Sequence, residues 1–281
     1  LQLGARWVVE GCLQGLHASP YHGFSVEFAE YRPYTPGEDL RAFDWKALAK
    51  SDRFYVKKYH SETNLKAYLL LDCSASMGFT SGGPTKLRYG ACLAAALAHL
   101  LIRQQDKVGL YAFGGGRPVE YVPPRGRASH LHEVLAAIDS AVAQPTAGPT
   151  GLAPMLERVL ETARRRSTII VLSDLFDRDP RVSETLSALR RLRHDVCVFH
   201  ILDRDELTLP FDRLTLFESL EDDRRVLADP HHVRAAYLGA LQTFLHDTQR
   251  ECISGDVEYQ LCATDAPFER ALLNFLRPRA G

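Results

Sequence analysis

Neither sign of charge dominates the 281 residues: 34 Lys and Arg stand against 35 Asp and Glu, a formal net charge of -1. No global field therefore favours nucleic acid or an anionic membrane, and any charged recognition must be local. Long apolar runs are missing too. The longest, such as Ala91 to Ala98 and Thr168 to Leu172, fall short of the roughly 20 residues that a membrane helix needs. No CxxC pair occurs among Cys12, Cys73, Cys92, Cys197, Cys252 and Cys262, several of which sit in apolar strand or helix patterns. They read as reduced, mostly buried cysteines of a cytoplasmic protein. The stretch from Gly78 to Lys86 has neither the GxxxxGK[ST] order nor the GxGxxG spacing of a nucleotide loop and is expected to be a flexible loop. His130 with His132, and His231 with His232, lack the i, i+4 spacing of a helical metal pair. Internal repeats and low-complexity segments are absent, and the chain begins at Leu1 without a methionine, which reads as a trimmed start with any leader or anchor left open.

What is present is ordinary globular material, 46% hydrophobic and 25% charged, with enough length for one large α/β domain or for one carrying a smaller appendage. Residues 1–63 read as a separate N-terminal segment, with helical spacing from Leu1 to His17, then turn formers, charges and aromatics, and a β-rich piece from Phe54 to Tyr59. The aromatic and charged residues between Tyr31 and Tyr59 are of the kind found at protein interfaces, or packed against a neighbouring domain. From residue 64 to 281 the pattern alternates. Apolar strands are predicted at Ala67 to Leu71, Val108 to Phe113, Val119 to Val122 as an edge hairpin, Thr168 to Ser173, Val196 to Leu202 and Val257 to Cys262. Between them lie helical patterns at Thr85 to Gln104, His130 to Val142, Gly151 to Arg165, Pro180 to Arg193, Pro230 to Glu251 and Phe268 to Leu276, with strand-like pieces near Leu214 to Phe217 and Arg225 to Leu227. Such alternation predicts a doubly wound, mostly parallel α/β sheet. The basic run Arg164 to Arg166 is expected to end a helix, where it complements the dipole.

In a doubly wound sheet, ligands collect beyond the carboxyl ends of the strands. Asp72, Ser74 and Ser76 follow one apolar strand directly, Ser173 and Asp174 follow another, and Thr150 precedes a helix in a Gly- and Pro-containing loop. Any one of these could merely cap a helix or make a turn. Together they offer three hydroxyls and two carboxylates, hard oxygen donors that suit Mg²⁺ or Mn²⁺ and need no Cys or His. Two aspartates neutralise a divalent ion, so an exchangeable position remains for an acidic side chain of a partner. A phosphatase using Asp72 as nucleophile would need a carboxylate two positions later, where Ser74 stands.

These residues resemble the metal-ion-dependent adhesion site of von Willebrand factor A-like domains, with Asp72, Ser74, Ser76, Thr150 and Asp174 as the metal set. The chain further resembles the bacterial family called domain of unknown function 58, on Glu30-Tyr31-Arg32-Pro33-Tyr34-Thr35-Pro36-Gly37-Glu38-Asp39, Asp44-Trp45, Tyr55-Val56-Lys57 and Leu71 to Met77. The likeness runs over essentially the whole chain and weakens in the C-terminal third. It implies a Rossmann-type, von Willebrand factor A-like fold with an N-terminal extension and a non-enzymatic, metal-dependent protein-binding adaptor. The implied partner is a MoxR-type AAA+ ATPase, acting in the assembly or maturation of other proteins. Two departures matter: Pro149 stands where the family more often has Gly, which leaves Thr146 as an alternative ligand to Thr150, and no membrane helix precedes the signature. The rival expectations are a metal-independent scaffold of the same fold and a Mg²⁺-dependent phosphatase-like hydrolase.

Overall fold

The computed structural model describes residues 31–33, 55–57, 65–144, 146, 150–177, 179–221 and 224–276. In the N-terminal segment, β1 (Tyr31–Pro33) and β2 (Tyr55–Lys57) pair antiparallel, with Arg32 opposite Val56. The remaining expectations for residues 1–63, including the helix from Leu1 to His17, the interface role of the aromatic stretch and the state of Cys12, fall outside the described residues.

The central sheet has six strands, β3 (Lys66–Asp72), β4 (Lys107–Gly114), β5 (Arg117–Arg125), β6 (Ser167–Ser173), β7 (Asp195–Leu202) and β10 (Glu258–Ala263), in the order β10-β7-β6-β3-β4-β5. Every pairing is parallel except β4 with β5, which is the expected edge hairpin. The interior strands read as near-continuous apolar runs because both of their faces are covered. In β3, Ala67, Leu69 and Leu71 face one layer while Tyr68 and Leu70 face the other. The first layer is formed by α1 (Lys86–Arg103), α2 (His130–Ala143) and α7 (Phe268–Leu276); the second by α3 (Leu152–Thr162), α4 (Arg181–Arg191) and α6 (Pro230–Ser254). Leu69, Leu70, Leu71, Ile170, Val171, Leu172, Val198 and Phe199 are all fully enclosed. Each such side chain contributes about 1.5–3 kcal/mol relative to exposure. This is the doubly wound α/β architecture that the sequence pattern predicts.

Two expectations need correction. The segment from Gly78 to Lys86 is tied down: Thr80 Oγ1 donates to the Gly83 carbonyl, and the Ser81 N–H donates to Asp203 Oδ2. Its last residue, Lys86, opens α1, and Thr85 is the N-cap accepting from the Arg88 N–H, because a hydroxyl before an apolar-periodic run satisfies an orphan donor of the first turn. Second, α3 stops at Thr162, so Arg164 to Arg166 lie in the connection to β6, where Arg166 pairs with Asp195 across the sheet's end. β8 (Thr215–Glu218) and β9 (Arg225–Ala228) are strands as expected and, among the described residues, pair with each other alone as a separate hairpin. A short helix, α5 (Arg204–Thr208), joins β7 to this region and is closed by a capping box between Asp203 and Glu206. Cys73, Cys197, Cys252 and Cys262 are buried and Cys92 is half-buried, all as free thiols. No helix among the described residues is long and apolar enough to cross a membrane.

Candidate functional site

The chain leaves β3 for β4 and β5 on one side and returns to β6 on the other, so the strand order reverses between β3 and β6. Adjacent parallel strands that turn to opposite faces open a crevice at their carboxyl ends. Leu71 is level with Leu172, which sets Asp72 beside Ser173 at that point. The Ser173 hydroxyl donates to Asp72 Oδ2 at 2.6 Å, and the Ser74 N–H donates to Asp72 Oδ1 at 2.9 Å. After Asp72 the chain bends because the Cys73 N–H donates to the Phe113 carbonyl of β4 at 2.7 Å. A one-turn 3₁₀ helix, Ser76–Gly78, follows, and the two serine hydroxyls are 3.1 Å apart.

The third loop arrives from across β4. Thr150 is buried and its hydroxyl donates to Ser74 Oγ at 3.3 Å. Its approach depends on Gly151, which takes φ 67° and packs its Cα against Gly116 so tightly that an added Cβ would lie 2.3 Å from the Gly116 Cα. Thr146, the alternative ligand, is engaged elsewhere: its N–H and its hydroxyl both donate to the Cys73 carbonyl, at 3.0 and 2.8 Å. That clamp needs Gly114, where a Cβ would collide with Thr146 Oγ1. Thr150, Ser74 and Ser76 thus form a continuous line of hydroxyl oxygens beside Asp72.

Asp174 closes the crevice with no exposed surface, its Oδ2 accepting from the Lys86 Nζ at 2.8 Å and its Oδ1 from the Phe176 N–H at 3.3 Å. Lys86 also donates to Glu206 Oε1 at 2.6 Å and lies 4.8 Å from the centre of the Phe176 ring. The sequence reading put this lysine inside the expected helix from Thr85 but did not single it out as part of the site. It also missed Glu206, although Asp203 and Glu206 stand at the D-x-x-E spacing of a capping box.

The electrostatics follow from burial. Asp72 is raised to about 7, first by its burial and then by the charge of Asp174, against the hydrogen bonds from Ser173 and Ser74. Burial works against the Lys86 ammonium, but Asp174 and Glu206 outweigh it and keep the lysine charged. Behind Asp174, His200 is lowered to about 4 by burial, so it is neutral, with Nδ1 2.8 Å from the Tyr259 hydroxyl. The Cys73 thiol, inside the loop itself, is pushed up to about 12 by burial and by Asp72, which makes it inert.

All five residues singled out from the sequence therefore converge on one crevice. Among the described residues no three His, Cys, Asp or Glu side chains form a metal-binding group, and the convergence consists instead of two aspartates and three hydroxyls. That donor set fits a hard divalent cation held partly through water, since both carboxylates already accept hydrogen bonds from the protein. Buried acids that repel one another, as Asp72 and Asp174 do, are stabilised by such a charge.

An uncharacterized protein of Mycobacterium tuberculosis is 28% identical over 213 residues, covering 75% of this chain and 65% of its own length. An uncharacterized protein of Mycobacterium bovis matches to the same extent, so the chain spans about 65% of the curated relatives it matches. Among solved structures, the conserved hypothetical protein BatB from Bacteroides thetaiotaomicron has a TM-score of 0.47 at 15% identity, over 75% of this chain and 96% of that one. The manganese-loaded TRAP protein of Plasmodium vivax has a TM-score of 0.37 at 18% identity, over 49% of this chain and 57% of that one. The family described as protein of unknown function DUF58 matches residues 30–243, most of the chain, and the chain belongs to that family.

Proposed function

We propose that the crevice holds a divalent cation, Mg²⁺ or Mn²⁺, and that the chain is a metal-dependent protein-binding adaptor. The observation that carries this reading is the line of hydroxyls from Thr150 through Ser74 to Ser76, flanked by Asp72 and Asp174 at the point where the strand order reverses. Ser74, Ser76 and Thr150 supply hydroxyl ligands, while Asp72 and Asp174 anchor the ion directly or through water. The cation, when bound, supplies an exchangeable position that takes the carboxylate of a partner. The rest is positioning. Ser173 and the Ser74 N–H fix the Asp72 carboxylate, Lys86 fixes Asp174, and Thr146 and Gly114 fix the Asp72–Ser76 loop against β4.

No bond is made or broken in this scheme. Position 74, where a phosphatase of this arrangement would need an acid/base carboxylate, is a serine whose hydroxyl is engaged with Ser76 and Thr150. The partner class comes from the family resemblance: a MoxR-type AAA+ ATPase presenting an acidic side chain, acting with this chain in the assembly or maturation of other proteins.

One observation favours a second reading. Lys86 already brings a cation to Asp174, so the crevice can be a self-contained ion-pair network and the chain a metal-independent scaffold. Retention of a purified MoxR-type ATPase on the immobilised chain separates the two. The adaptor reading expects retention in Mg²⁺ that is lost with EDTA and lost in Asp72→Ala; retention indifferent to both establishes the scaffold.

A further inference from the structure

The β8–β9 hairpin has no part in the site as described so far. Among the described residues its strands pair with no others, and Leu216 and Leu227, opposite one another, are 51% and 63% exposed. A two-stranded ribbon with so little buried apolar surface is marginally stable alone, and its position depends on what its turn touches. Glu221 is the residue that brings it to the crevice. Glu221, three residues after β8, places its Oε1 where solvent cannot reach, and that atom has no hydrogen-bond partner. Its carboxylate lies beside the Ser76 hydroxyl, with which it hydrogen-bonds, and within reach of the charges of Asp174, Asp177 and Lys86.

An enclosed carboxylate oxygen without a donor is costly. Adding a further acid to a crevice that already holds Asp72 and Asp174 costs more through repulsion. The Lys86 ammonium, whose charge acts on Glu221, is already held by Asp174 and Glu206. A divalent cation among the hydroxyls of Ser74, Ser76 and Thr150 would remove both penalties, supplying the missing partner of Glu221 Oε1 and the missing positive charge together.

We propose that Glu221 is an internal ligand for a cation in this crevice, occupying the position meant for a partner's carboxylate, so that the β8–β9 hairpin caps the site until a partner displaces it. The proposal rests on the metal-binding reading above. The hairpin suits this role because it is tethered through α5 and α6 and buries few of its own side chains. Lifting it leaves the six-stranded sheet and both core layers untouched. A partner then meets the site only in the fraction of molecules with the hairpin raised, which weakens casual binding by small acids and reserves the site for partners that also engage the raised hairpin.

The test titrates Mn²⁺ into the full chain by calorimetry for wild type, Glu221→Gln and the control Glu218→Gln, and follows hydrogen exchange of residues 215–228 with and without Mn²⁺. Glu218 lies on the same hairpin but faces solvent in an ion pair with Arg225. The proposal expects wild type and Glu218→Gln to bind alike, with Mn²⁺ slowing exchange in the hairpin. It expects Glu221→Gln to bind about 10- to 100-fold more weakly, with exchange that no longer responds to the metal. Equal Mn²⁺ affinity in Glu221→Gln, with hairpin exchange indifferent to the ion, overturns the internal ligand and leaves the metal site standing. A wild type that binds no Mn²⁺ overturns both.

Discussion

Lys86 has no exposed side-chain surface, and its ammonium is held by a buried aspartate, a nearly buried glutamate and an aromatic face. Burying an ion pair gives little net stability, but removing one partner strands the other charge. Lys86→Met is therefore expected to lower the unfolding free energy by about 3–5 kcal/mol, and Lys86→Met with Asp174→Asn to recover part of that loss, both measured by urea denaturation. A single-variant loss under about 1 kcal/mol would mean that the pair is solvated. Asp106 is a simpler case at the start of β4: burial raises it to about 6, and its Oδ1 is enclosed without a partner. An acid whose folded pKa lies above its unfolded one binds more protons when folded, so its contribution falls as pH rises from about 4 to about 6. Since Asp106 is only half-buried, the discounted effect is about 1 kcal/mol. Asp106→Asn should stabilise by about that amount at pH 7 and by little at pH 4, read from thermal melts across that range. Asp72, Ser74, Ser76, Thr150 and Asp174 were legible in the sequence because four of them directly follow apolar strands and the fifth precedes a helix. Glu206 and Glu221 were not, since each is brought in by a segment whose course depends on tertiary contacts rather than on periodicity.

The strands and helices of the sheet were readable because burial on both faces imposes continuous apolar runs on β3, β6 and β7, and burial on one face imposes helical spacing on α3, while α1 is buried nearly all round and reads as a long alanine- and leucine-rich run. The β8–β9 hairpin was recognisable as strand but not as a separate unit. Its alternation of Leu216, Phe217, Val226 and Leu227 resembles that of a half-buried strand, whereas three of these four are exposed. The short helix α5 escaped notice because five residues are too few to show a period. Among the connections, the one ending at Gly151 carries the sharpest requirement. A side chain there meets both a positive φ and the Gly116 backbone, so Gly151→Ala is expected to cost at least about 1–2 kcal/mol in thermal unfolding. The same change should shift Thr150 away from Ser74 and weaken Mn²⁺ binding, whereas Gly239→Ala, in an open position on α6, should do neither.

At the scale of the molecule, the sheet's topology and the balance of charge explain why chemistry concentrates in one place. A near-neutral chain with no global field, folded around a doubly wound sheet, gathers its buried acids at the crevice between β3 and β6. Asp72, Asp174, Glu206 and Glu221 approach it, and Lys86 answers only part of that charge. In the proposed reading a divalent cation would complete the balance, and the proposed partner binding and hairpin capping both depend on it. The direct measurement is Mn²⁺ binding followed by electron paramagnetic resonance on the purified chain, wild type and Asp72→Ala, with Mg²⁺ as competitor. The account predicts one Mn²⁺ site in the wild type that Mg²⁺ displaces and that is lost in a folded Asp72→Ala. Binding of equal strength in both proteins, or none in the wild type, would contradict it.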